Sequence, residues 1–375
     1  MKRQILCLAA MLLTGCGSAI EQTAPIAQTE EVPTEKPTQA PTEKPAQVPT
    51  EKPTQAPTEK PTQAPTDPPT EAPTQAPVQG EDTQPPVFLH TSTVQLVTGT
   101  PFDPWQELGF GDDLDPVPQV SWGGYLDVTQ PGSYPVTVTL MDSAGNTNAR
   151  TVEVLVQDSF ETPPDTKTRI AFGDFKAQHG GEGRLVGIDV SKWQGDIDFE
   201  AVREAGCDFV IMRIGSAGDG PVMDEYYLQN MERARAAGLR VGVYLNTSGV
   251  ADADAVRAAA DWVADVLQGA PLDLPIGYDW ESFSGFQRYG LSFADLTALY
   301  RSFEEQMAGH GYPSMLYGSR FYLENAWDPA GTPVWTAEYA DAPTYAGSFL
   351  LWQGSDCGRI PGIAGDVDLD VWYAS

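Results

Sequence analysis

The chain has 375 residues, a formal net charge of -30 and an isoelectric point near 4.2. A surface of that sign repels polyphosphate and bare anionic membrane alike, which excludes nucleic acid as a partner; the length also exceeds one ordinary domain. The 32 prolines are concentrated in one region, so part of the chain is not globular, and two folded domains plus a linker are expected. Lys2 and Arg3 precede an apolar run from Ile5 to Leu13, too short to span a bilayer but suited to the core of a secretory signal.

Directly after that run, Leu13-Thr14-Gly15-Cys16 resembles the bacterial lipobox. The resemblance implies a signal peptide over 1–16, acylation of Cys16, and a chain held by lipid on the outer face of the cell membrane. From 17 to 84 the sequence cycles through Pro-Thr-Glu-Lys and Pro-Thr-Gln-Ala with almost no large apolar side chains. Such a segment builds no core and is expected to be a disordered, polyproline-like linker reaching roughly 190 Å over about 60 residues.

Between 85 and 158 the hydrophobicity alternates with period two. Tyr134 to Leu140 and Thr151 to Val156 read as strands with one buried face, joined into a hairpin by Asp142-Ser143-Ala144-Gly145-Asn146, and Val94 to Val97 adds a strand. A small all-β sandwich is expected. Pro131-Gly132-Ser133-Tyr134 and the Asp142–Asn146 turn resemble bacterial immunoglobulin-like repeats. The stretch shows no ionisable cluster to single out, so it reads as a spacer or a weak binding module. Residues 159–183 are expected to be a short linker.

From 184 to 375, β-type runs alternate with helical patterns. Strands are expected at Val186–Val190, Phe209–Ile214, Arg240–Leu245, Leu274–Trp280, Met315–Tyr317, Val334–Ala337, Phe349–Trp352 and Val367–Trp372, with helices at Phe199–Ala205, Asp224–Ala237, Asp252–Leu267 and Ser292–Gly309. Strand-helix repetition implies parallel strands, and eight of them in about 190 residues imply an α/β fold of the TIM-like β/α barrel type with irregular last strands. Chemistry in such barrels gathers at the C-terminal strand ends, where Asp189, Asp279, Glu281 and Asp368 fall. Asp279 and Glu281 are two residues apart and share one face of an extended strand, an arrangement that divides acid from base duties. Each acid alone is also an ordinary turn residue; together they point to a site. Tyr244, Tyr317, Trp335, Tyr339 and Trp352 fall on or just after strands as candidate sugar-stacking surfaces.

Gly187-Ile188-Asp189-Val190-Ser191, Trp193-Gln194-Gly195, Phe209-Val210-Ile211 with Arg213, Tyr278-Asp279-Trp280-Glu281, Leu351-Trp352-Gln353 and Gly365-Asp366-Val367-Asp368-Leu369 resemble glycoside hydrolase family 25, the Chalaropsis-type lysozymes. The resemblance implies cleavage of the β-1,4 bond between N-acetylmuramic acid and N-acetylglucosamine in peptidoglycan. Glu281 then matches the general acid, Asp279 a second carboxylate acting as nucleophile or as orienter of the substrate acetamide, and Asp189 and Asp368 the remaining acids. Tyr244-Leu245-Asn246 departs from the aromatic-rich segment usual there. The rival readings are a wall-binding or adhesive surface lipoprotein without turnover and a glycosidase acting on chitin-like polymers. With three His, no His pair at metal spacing and no Cys-x-x-Cys, neither a catalytic metal nor any other cofactor is expected. Cys207 and Cys357 fall at opposite barrel ends and are expected to be free, and the protein is expected to be a monomer.

Overall fold

The computed structural model describes residues 82–90 and 93–373; the signal, Cys16 and the proline repeats lie outside them. The first folded part runs β1 (Val87–His90), β2 (Val94–Val97), the single turn α1 (Pro104–Glu107), β3 (Gly109–Gly111), β4 (Gln119–Gly123), β5 (Gly132–Met141) and β6 (Thr147–Gln157). One sheet has the order β2-β6-β5-β4, and β1 and β3 form a second, antiparallel pair. The period-two pattern acts as expected: Val136, Val138 and Leu140 on β5 and Val152, Val154 and Val156 on β6 are buried together with Phe88 and Phe110 of the smaller sheet. The β5–β6 turn closes through Asp142, whose Oδ1 accepts from Asn146 N at 2.8 Å, and Gly145 supplies the left-handed φ of 92°.

The second part runs β7 (Ile170–Ala171), α2 (Phe172–His179), β8 (Arg184–Val190), α3 (Phe199–Glu204), β9 (Phe209–Ser216), β10 (Val222–Met223), α4 (Tyr227–Ala236), β11 (Arg240–Asn246), α5 (Ala253–Leu267), β12 (Ile276–Asp279), a 3-10 segment (Phe283–Tyr289), α6 (Phe293–Gly309), β13 (Ser314–Ser319), α7 (Arg320–Asn325), β14 (Val334–Ala337), β15 (Leu351–Arg359) and β16 (Val367–Tyr373). Strands β8-β9-β11-β12-β13-β14-β15-β16 close on β8, giving an eight-stranded barrel. The first seven are parallel, whereas β16 is antiparallel to both neighbours, since only a short hairpin separates it from β15. The expected linker 159–183 is partly structured: β7 pairs with β15, and α2 buries Phe172 and Phe175 against the barrel. Side-chain caps sit at the expected starts of two helices, whereas α4 begins at Tyr227, three residues after its expected start. Asp252 caps α5 by accepting from Ala255 N at 2.8 Å, and Ser292 and Asp295 form a reciprocal capping box at α6.

The β unit does not act as a free spacer, because it is welded to the barrel at the 3-10 segment. Gln287 is buried there and its amide is spent on the β unit: Nε2 donates to the carbonyls of Trp105 at 2.6 Å and Leu108 at 2.9 Å, while Oε1 accepts from Phe110 N at 3.3 Å. At Gly109 an added Cβ would sit 2.3 Å from Phe283 O, so only glycine lets the two backbones approach. The first amides of α6, which have no partner within their own helix, donate to the carbonyls of Asp112 and Asp113 at 2.8 and 3.1 Å. Replacing Gln287 by Leu strands buried Phe110 N and Leu108 O at about 1–3 kcal/mol each. Thermal denaturation of Gln287→Leu is therefore expected to show a Tm lower by at least about 5 °C; an unchanged Tm would mean that the seam carries no stability.

Candidate active site

The barrel mouth is organised by alternation along β12. Tyr278 and Trp280 face outward into the helical layer: Tyr278 packs on Tyr300 and Phe303 of α6, and Trp280 on Phe283, Phe286 and Tyr289, with its indole Nε1 donating to Val250 O at 3.0 Å. Gly277, Asp279 and Glu281 take the inner face. Strand pairing ends at Asp279, one residue earlier than expected, and Glu281 lies just beyond it. Glu281 is held in line because its backbone N donates to Ser248 Oγ at 2.9 Å while Trp280 anchors the preceding residue. Below the acids, the missing Gly277 side chain leaves room for Tyr244 and Trp335, which with Tyr317 fill the barrel interior.

Four further groups converge on the pair. Asp189 on β8 faces Asp368 across the antiparallel β8–β16 ladder, and Asp370, two residues further along β16, is fully buried and accepts from Trp335 Nε1 at 2.9 Å. Gln353 on β15 donates through Nε2 to Asp189 Oδ2 at 2.8 Å, and its Oε1 accepts from the hydroxyls of Tyr317 at 2.9 Å and Tyr339 at 3.1 Å. These contacts fix the direction of the Gln353 amide and, through it, the Asp189 carboxylate.

Burial decides the electrostatics. It raises Glu281 well above the usual carboxylate range, and the negative charges of Asp279, Asp368 and Asp189 raise it further. Asp279 is raised too, but only to about 6, because Asn246 Nδ2 donates to its Oδ2 at 2.9 Å and the Arg213 guanidinium opposes the rise. Arg213 is itself held by Asp224 through a buried contact of 2.6 Å. Burial also drives Asp189, Asp368 and Asp370 upward. The result is two neighbouring carboxyls whose surroundings push them unequally, one aided by Asn246 and Arg213 and the other crowded by three acids, the kind of inequality that acid–base chemistry uses.

Sequence reasoning placed Asp189, Asp279, Glu281 and Asp368 at one mouth, and the structure brings them together there. Trp352 is a correction. It points away from the mouth, packs on Phe175 and His179 of α2, and donates through Nε1 to Glu338 O at 2.8 Å. Alternation along Leu351-Trp352-Gln353 sends Leu351 and Gln353 inward and Trp352 outward, so the polar neighbour belongs to the site. Tyr339 is 48% exposed and Tyr244 half-buried, whereas Tyr317 and Trp335 are almost wholly covered. Trp335 and Tyr339 do not share one strand face, because β14 ends at Ala337. Asp370, Asn246 and Ser248 were not singled out by their spacing; the signal for Asp370 was its even separation from Asp368. Cys207 and Cys357 are free and buried, the latter inside β15, which runs seven residues beyond its expected end.

The match to the family described as glycosyl hydrolases family 25 covers residues 188–363. The autolytic lysozyme of Clostridium acetobutylicum is 29% identical over 190 residues, which are 50% of this chain and 55% of that protein. Lysozyme M1 of Streptomyces globisporus is 30% identical over 205 residues, 51% of this chain and 68% of that protein. The crystal structure of a lysozyme from Streptomyces coelicolor is 26% identical, with 50% of this chain and 90% of that chain covered and a TM-score of 0.43.

The clustered acids have a consequence for stability. Their folded pKa values lie above those of the unfolded chain, so the native state binds more protons and is stabilised as pH falls. Scanning calorimetry is expected to give a higher Tm at pH 5 than at pH 8, with a smaller difference in Asp370→Asn. A Tm that climbs from pH 5 to pH 8 would contradict the burial of these charges.

Proposed function

Because the chain belongs to glycosyl hydrolase family 25, we propose that it is a muramidase that hydrolyses the β-1,4 bond between N-acetylmuramic acid and N-acetylglucosamine. The observation that carries this reading is the pair of carboxyls on the inner face of β12 with unequal surroundings: Asp279, raised to about 6, accepts from Asn246, while Glu281, raised well above the usual carboxylate range, is crowded by Asp279, Asp368 and Asp189. Glu281 gives its proton to the glycosidic oxygen as the bond to the anomeric carbon breaks, and the Asp279 carboxylate stabilises the positive charge that develops on the sugar ring. The ring is then captured either by Asp279 itself or by the substrate's acetamide oxygen, with Asp279 accepting from the acetamide N–H. In the second half, the Glu281 carboxylate takes a proton from water while that water's oxygen bonds to the anomeric carbon and the carbon's bond to Asp279 or to the acetamide oxygen breaks, which restores both the acid and its partner.

The other acids act on this pair from a distance. The crowding of Asp189 and Asp368 against Glu281 raises its pKa further, since each charge placed in the mouth makes the next one costlier, and Asp370 lies beside Asp189. Tyr339 offers exposed ring surface for a saccharide, while Tyr244, Tyr317 and Trp335 form the floor beneath. Trp352 has no part in this contact.

The same proposal includes a location. Lys2, Arg3, the apolar run to Leu13 and the Leu13-Thr14-Gly15-Cys16 segment support export and acylation at Cys16. The proline-rich repeats then act as a stalk and the β unit as an immunoglobulin-like base for the barrel, holding the enzyme at the outer face of the membrane within reach of the cell's own wall. Tethering raises the effective concentration on nearby glycan, which suits remodelling.

Digestion of purified peptidoglycan is expected to yield new reducing ends on muramic acid, and Glu281→Gln to lower kcat by at least about 100-fold. Reducing ends on glucosamine alone, faster turnover of chitin oligomers, or equal wall clearing by Glu281→Gln would each overturn the reading. The pH profile offers a second check. Asn246 holds the Asp279 pKa down, so Asn246→Ala raises it and moves the acidic limb of kcat/KM to higher pH; a limb that stays in place would remove Asp279 from that step.

A further inference from the structure

The β unit shows no ionisable cluster in its sequence pattern, yet its fold assembles one. Asp82 precedes β1, Asp112 and Asp113 follow β3, and one carboxylate oxygen from each lies within 4.8 Å of the others. That is the widest separation two oxygens can have when both ligate one ion at about 2.4 Å. Asp112 is fully buried: its Oδ1 accepts from Leu114 N at 3.0 Å and Asp115 N at 2.7 Å, while Oδ2 has no partner among the described residues. Asp113 Oδ1 is buried and equally unpartnered. Nearby Asp142 makes the contrast, because both of its oxygens are taken, by Asn146 N and Asn146 Nδ2, each at 2.8 Å. Asp82 Oδ1 accepts from Gln84 N at 3.0 Å, whereas Asp112 and Asp113 each keep a buried oxygen with no partner among the described residues, and a positive species between the three carboxylates would satisfy them.

From this arrangement we propose that Asp82, Asp112 and Asp113 bind a calcium ion at the seam between the β unit and the barrel. The donor set contains only oxygen, with no His or Cys, which argues against zinc. The carboxylates come from two loops distant in sequence, and backbone carbonyls and water complete the six to eight ligands that calcium accepts in irregular geometry; magnesium demands a near-ideal octahedron and retains its water. The site also has something to hold. The carbonyls of Asp112 and Asp113 receive the first amides of α6, and the Asp82 carbonyl accepts from Asn146 Nδ2 at 3.1 Å. One ion therefore ties the start of the folded chain, the β5–β6 turn and the N-terminus of α6 into a single cross-link. This proposal does not depend on the muramidase reading.

The test is calorimetric titration of the EGTA-stripped chain with CaCl2, paired with thermal denaturation with and without the ion. The expected result is one calcium per chain with a Kd at or below about 1 mM, and a Tm raised by about 5 °C or more at saturation. Equal concentrations of MgCl2 are expected to give less than half that shift. Asp112→Asn and, at the more accessible position, Asp82→Asn are each expected to weaken binding at least tenfold while keeping the shape of the side chain. Absence of binding heat and of any Tm shift in millimolar CaCl2 would overturn the proposal, leaving a shared proton between Asp112 and Asp113. So would a Tm shift of equal size with MgCl2, or one retained in both variants, since either marks general screening of an acidic surface.

Discussion

Taking carboxylates out of water favours their protonated form, and the barrel mouth sets five of them under that pressure at once. Much of the barrel's upper architecture answers this constraint. Trp335 and Gln353 spend their polar atoms on Asp370 and Asp189, and Asn246 and Arg213 are turned toward Asp279. The acid with the least help of this kind is Glu281: among the described residues its backbone nitrogen is held by Ser248, while its carboxyl meets three other acids. The proposed division of labour follows from this inequality of support. Identical chemistry in two side chains becomes two functions because one is solvated by protein dipoles and the other is not.

The mouth is positioned by layers beneath and behind it. Outward-facing Tyr278 and Trp280 lock β12 against α6 and the 3-10 segment, so the inner-face acids inherit the rigidity of an aromatic cluster. That same 3-10 segment is gripped from its other side by the β unit through Gln287 and by close backbone approach at Gly109. The part of the chain that reads as a spacer thus buttresses the segment directly following the strand that carries Asp279. The carbonyls of Asp112 and Asp113 extend the grip to the start of α6, where unpaired helix amides would otherwise need water.

The site was legible to the extent that it depends on alternation. Asp279 and Glu281 at a two-residue spacing, and Asp189 at the end of an apolar strand, are visible because strand side chains alternate and barrel chemistry sits at C-terminal strand ends. Trp352 went astray where residue type was weighed above alternation, since its neighbours Leu351 and Gln353 occupy the inner face. Asp370 was not singled out because β16 reaches the mouth antiparallel, which places its inner residues at depths that the parallel pattern does not suggest.

The sequence by itself determined the closed α/β barrel, the β hairpin of the first unit, the spans of the long helices and the shared strand face of Asp279 and Glu281, because each depends on local periodicity. Tertiary structure alone decided which carboxyl has donors beside it, which aromatics face the mouth, and that the β unit is fused to the barrel. It also decided that Asp82, Asp112 and Asp113 meet. Those outcomes depend on burial and on contacts between residues far apart in the chain, and neither leaves a periodic trace for the sequence to show.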